Sequence, residues 1–138
     1  MVKSPTILGP TSGARCFPER ELTERIIDCA IAVHKALGPG FLESVYENAL
    51  AHELAKQGLR FERQKATKVL YDGVVCGEHR LDLLVEERVV VELKHVEAVH
   101  NVHLAQVIST LKAFGVKVRL LINFNEARLV NGIRRVVF

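Results

Sequence analysis

Apolar residues recur at helical spacing over residues 21–37, where Leu22, Ile26, Ile27, Ala30, Val33, Ala36 and Leu37 define one face. Gly38-Pro39-Gly40 breaks that pattern. A second helical pattern over residues 42–57 gathers Val45, Tyr46, Ala49, Leu50, Glu53 and Leu54 near one face, and Gly58 supplies its stop. The period then changes. Residues 60–71 are a mixture of polar and apolar residues that ends at Asp72-Gly73, a strong hairpin signal. Residues 74–85 and 89–94 continue as strands around the charged turn Glu86-Glu87-Arg88, so three consecutive strands form a meander. Helical spacing returns over residues 101–114 through Val102, Ala105, Val107, Ile108, Leu111 and Phe114. The dense apolar run 116–124 predicts a buried strand, and residues 133–138 a last short strand at an edge. The order α-α-β-β-β-α-β-β predicts an α/β fold, a central mixed sheet flanked by helices.

With 138 residues the chain fits one domain, expected over residues 19–138. Residues 1–18, rich in Pro and Gly among Ser and Thr, are expected to form a flexible leader. The net charge of +3 permits contact with nucleic acid without demanding it. Three scattered cysteines, Cys16, Cys29 and Cys76, form no C-x-x-C pair, which argues against a zinc knuckle or a disulfide framework. Reduced thiols, with no signal-like segment and no apolar run of membrane-spanning length, point to a cytoplasmic protein with no membrane partner.

The segment that carries chemistry runs from Arg80 to Lys94. Alternation along a strand puts Glu92 and Lys94 on one face, with Val91 and Leu93 on the other. A three-residue turn at residues 86–88 would bring Asp82 opposite Glu92 on that same face, whereas a two-residue turn would separate them. Two facing carboxylates repel unless a cation lies between them, and hard oxygen donors suit Mg²⁺ or Mn²⁺. Lys94 would then orient or deprotonate a water and stabilise charge developing on a phosphate. The plainer reading is a cross-strand acid–lysine pair on a solvated face.

Asp82 with Glu92-Leu93-Lys94, set within this element order, resembles the PD-(D/E)XK nuclease superfamily. Gly40, Glu43 and Tyr46 match the signature of its GxxExxY family. The likeness runs from Glu21 to Phe138 and takes in Gln64, Lys65, Gly77, Glu78, His103, Gln106 and Asn123 among others. It implies a restriction-endonuclease-like core, with a metal held by Asp82, Glu92 and the Leu93 carbonyl. It also implies an acid from the first core helix, at Glu43, and support for the lysine from Gln106. Two departures stand out: Leu81 replaces the proline of the superfamily's name, and Thr110 stands where a related branch has tyrosine.

Each of these residues has a structural rival. Glu43 follows Gly-Pro-Gly, where an acid favours a helix N-terminus. Tyr46 reads better as a packed ring with a hydrogen-bonded hydroxyl than as an acid. His95, His100 and His103 lack the cysteines or further ligands a zinc site needs. Arg63, Lys65, Arg80 and His103 are the candidates for nucleic-acid contact, with Arg60, Lys68, Lys112, Lys117, Arg119, Arg134 and Arg135 as further cations. Charges that merely decorate exposed faces would look the same. The expectation is metal-dependent hydrolysis of phosphodiester bonds in nucleic acid, DNA ahead of RNA. The alternative is a non-catalytic module that binds nucleic acid or a protein, and a homodimer or larger assembly could form through an edge strand.

Overall fold

A computed structural model describes residues 6–8, 18–95 and 115–137. Two helices open the described core, α1 (Arg20–Leu37) and α2 (Glu43–Lys56). The strands are β1 (Thr6–Leu8), β2 (Phe61–Tyr71), β3 (Val74–Val85), β4 (Val89–Lys94), β5 (Val118–Asn123) and β6 (Ile133–Val137). They form one sheet in the order β1-β6-β5-β4-β3-β2, in which β4 and β5 are parallel and all other neighbours antiparallel. A parallel pair needs a crossover, and the long connection from β4 to β5 provides the length. The helix expected over residues 101–114 lies outside the described residues.

Local chemistry sets the boundaries. Helix α1 ends where Gly38, at φ 70°, donates its amide to the His34 carbonyl at 2.8 Å. The β2–β3 turn holds Asp72 and Gly73 at φ 52° and 76°, the paired left-handed conformations that Asp-Gly adopts most readily. At the next turn Glu86 and Glu87 are both left-handed, and the Arg88 amide meets the Val85 carbonyl at 3.0 Å. Val85 therefore pairs with Val89, the odd-length turn on which the sequence argument depends.

Alternation along β4 and β5 separates the two faces of the sheet. Val89, Val91, Leu93, Val118, Leu120 and Ile122 pack under Ile26, Ala30, Val33, Tyr46, Leu50 and Leu54 of the two helices. The opposite face carries Val90, Glu92 and Lys94 beside Arg119, Leu121 and Asn123. All six residues of β5 are buried, as expected of a central strand covered on both faces.

Two expectations change. Thr6–Leu8, within the supposed flexible leader, forms a strand along β6. Three residues are too few for a period to show, and the surrounding Pro and Gly masked them. For the same reason β6 is not an edge strand; β1 and β2 are the edges. A short 3-10 turn at Leu129–Gly132, unforeseen in the sequence, delivers the chain into β6. Gly132 is needed there, because a Cβ would stand 2.5 Å from the Asn123 carbonyl oxygen.

Candidate active site

Strand β3 parts from β4 at Asp82. Ladder pairing between them covers Leu83–Val85 and stops one residue short of the acid. On the other side Gln64, the residue of β2 opposite Asp82, takes φ 52°, and the regular pairs run on either side of it. At this split a side chain takes over from the backbone: Asp82 Oδ2 accepts the Leu93 amide at 2.8 Å. The Lys94 carbonyl accepts from Phe124 on the β5 side. Successive residues of a strand turn their peptide groups to opposite edges, so the Leu93 carbonyl faces the β3 side, along with the amide that meets Asp82. The main-chain oxygen expected to help hold a metal thus borders the same acid.

A row of three acids runs across this split. Asp82 Oδ1 meets Gln64 Nε2 at 3.4 Å, and the same amide nitrogen donates to Glu47 Oε1. Glu47 is buried, and its other oxygen is held by Arg63 Nη2 at 2.7 Å and Nε at 3.1 Å. Glu92 is 4 % exposed; His79 Nε2 lies 3.3 Å from its Oε1, and Arg119 Nη2 lies 3.3 Å from its Oε2. Arginines thus neutralise the two outer acids, leaving Asp82 between them with, among the described residues, amide partners only. Burial pushes the Asp82 carboxyl up from its ordinary value; the Leu93 amide opposes this, while Glu92 and Glu47 add to it.

Among the described residues, no three His, Cys, Asp or Glu side chains are spaced as a ready-made metal cage. That geometry does not disqualify Mg²⁺, which keeps most of its waters and uses one or two protein carboxylates. The donor chemistry fits: a half-buried acid raised by burial, a second acid on the neighbouring strand and the Leu93 carbonyl at the edge facing β3 are all hard oxygens. A cation here would offset the burial, and the lesser repulsion from Glu92 and Glu47, that lift Asp82.

The remaining candidates fall in different places. Lys94, half-buried at the end of β4, shares the face of Glu92. Glu43 is the exposed first residue of α2 and makes no hydrogen bond or ion pair with the described residues. Glu47, one helical turn later, is the acid of that helix that joins the row. Tyr46 stacks on Phe124 with ring centroids 4.4 Å apart; its hydroxyl donates to the Gly38 carbonyl at 2.6 Å and accepts from the Phe41 amide at 3.1 Å. It is a packed ring that ties down the α1–α2 turn. Gln106 and His103 lie outside the described residues.

The supposed nucleic-acid contacts are mostly engaged within the chain. Arg63 serves Glu47, Lys65 pairs with Glu62 at 2.7 Å, and Arg60 pairs with Glu86 at 3.1 Å. Arg80 is exposed and donates to the Gln64 carbonyl at 3.2 Å. Arg119, read from sequence as one more surface cation, is 1 % exposed and belongs to the site. Its signal was there to be read: a single charge inside an otherwise apolar strand must be buried with a partner.

No helix among the described residues is long and apolar enough to cross a membrane. Neither a curated protein nor a solved structure matches the chain. A model of the PD-(D/E)XK nuclease superfamily matches residues 20–136, nearly the whole sheet and both helices. By that match, the chain belongs to the PD-(D/E)XK nuclease superfamily.

Proposed function

We propose that the protein is a divalent-metal-dependent phosphodiesterase that cuts nucleic acid, DNA in preference to RNA, in the cytoplasm. Within the superfamily, Gly40, Glu43 and Tyr46 support placing it in the GxxExxY family. The observation that carries the reading is Asp82 fastened to the Leu93 amide at the point where β3 leaves β4, with Glu92 and Lys94 on the adjoining face.

In this reading Asp82 and Glu92, with the Leu93 carbonyl, hold Mg²⁺ or Mn²⁺. The ion supplies Lewis acidity at the phosphate and makes a water easier to deprotonate. Lys94 offers an ammonium to the charge that builds on the phosphate oxygens and orients the attacking water. Gln64, bridging Asp82 and Glu47, fixes the orientation of the Asp82 carboxylate. Gln106 supports Lys94. Exposed Arg80 is the described cation of the hairpin best placed to meet a backbone phosphate, and that contact would weaken with salt.

The test is cleavage of single- and double-stranded DNA and RNA by the purified protein with Mg²⁺ or Mn²⁺. Asp82→Ala and Lys94→Ala should each abolish cleavage while the circular-dichroism spectrum stays that of the parent. A parent protein that cuts none of these substrates with either metal ends the proposal.

A further inference from the structure

Beyond Asp82 the β2–β3 hairpin continues, among the described residues, without a third strand. Its pairing runs from Lys65–Leu81 to Tyr71–Val74, while β4 reaches no further along β3 than Leu83. A two-stranded ribbon without a third strand is marginal by itself in water. The tip of this ribbon is also strongly apolar. Val69, Leu70, Tyr71, Val74 and Val75 are all exposed, Leu70 to 60 % and Tyr71 to 73 %. Together they present on the order of a few hundred Å² of apolar surface, a patch size that marks an interaction site on a small protein.

The charge pattern selects among partners. Residues 69–76 contain no Lys or Arg, and Asp72 sits at the apex, which disfavours phosphates and anionic lipid. Lys68, the nearest cation, lies opposite Glu78 in the ladder, outside the apolar tip. Among the described residues β2 is an edge strand with one side unpaired, and its apolar residues 69–71 are flanked by Lys68 on one side and Asp72 on the other. That short stretch is complementary to itself in reverse.

We propose that two copies of the chain associate through this tip, β2 antiparallel to β2 about a two-fold axis at Leu70. In that register Leu70 meets Leu70 of the second copy and Val69 meets Tyr71. Lys68 meets Asp72 at both ends. Doubling the patch brings the buried area toward the ~1,000 Å² of a specific interface. The arrangement is isologous and therefore closes at two copies. It stands whether or not the protein cuts nucleic acid.

Sedimentation velocity from micromolar to hundreds of micromolar protein tests it. The parent should pass from monomer to dimer across that range. Leu70→Asp and, separately, Tyr71→Ser should raise the dissociation constant by about 30-fold or more, as expected for central interface residues. Both positions are exposed, so melting temperatures should stay near that of the parent. Lys68→Gln and Asp72→Asn should each weaken the dimer, and the double variant should be no weaker than either single one, because both remove the same pair. A parent that remains monomeric throughout overturns the proposal. So does a dimer indifferent to Leu70→Asp.

Discussion

Replacing Arg119 with methionine tests how the acid row is held in the sheet. The guanidinium is buried on the face that carries Glu92, and its Nε and Nη1 have no hydrogen-bond partner among the described residues. Burial pushes its pKa down to about 10, although Glu92 and, more weakly, Asp82 pull it back up. At about 1.4 kcal/mol per pH unit, keeping the cation there costs the fold about 3 kcal/mol. Because the folded value lies below the unfolded one, the whole penalty is present at neutral pH. It is relieved only as pH rises past about 10. Methionine removes that penalty but leaves the Glu92 carboxylate buried, with His79 its one remaining partner among those described. Breaking one side of a buried pair typically destabilises by about 3–5 kcal/mol net, the relief of the removed charge included. Arg119→Met should therefore lower stability by about 3 kcal/mol, whereas Arg119→Met with Glu92→Gln should recover at least ~2 kcal/mol of it. Urea unfolding of the parent, both single variants and the double variant at neutral pH gives the coupling directly. The reasoning fails if Arg119→Met is as stable as the parent, or if adding Glu92→Gln restores nothing.

Two further outcomes follow from the same geometry. Asp82→Asn keeps an oxygen for the Leu93 amide and removes the charge that burial and its acidic neighbours disfavour. Its melting point should therefore exceed the parent's by a few degrees at neutral pH. That advantage should vanish as acid protonates Asp82, first through the raised folded value and then the unfolded one, and Mg²⁺ should stabilise the parent but not the variant. Tyr46→Phe keeps the stack on Phe124 but orphans the Gly38 carbonyl and the Phe41 amide. A loss of about 1–3 kcal/mol in thermal or urea unfolding is expected, and no loss would return the hydroxyl to consideration as a chemical group.

The sequence was most readable where side-chain period and turn length act together. β3 and β4 have the bounds that alternation implied, and the three-residue turn at Glu86–Arg88 sets the register that pairs Leu83 with Val91, one residue short of Asp82 and Glu92. Glu47 was harder to see. The Gly-Pro-Gly break draws the eye to Glu43, and only the packing of α2 against β2 shows which turn of the helix meets Gln64 and Arg63. A helical wheel held the clue, since Glu47 lies one turn before the buried Leu50 and Ala51. His79 offered no such sign. It comes to Glu92 through the course of β3 beyond the split, and no spacing in one sequence encodes that course.

The parting of β3 from β4 also divides the protein into regions of unequal persistence. β5 is wholly buried between two neighbours, so its amides should be among the last to exchange with deuterated solvent, opening only when the whole domain does. The ribbon beyond Leu81 has a ladder on one side alone and should open far more often, on its own schedule. Asp82 stands on the border between the two regimes. Through its bond to Leu93 it takes its position from the slow side, while the chain that carries it onward belongs to the fast one.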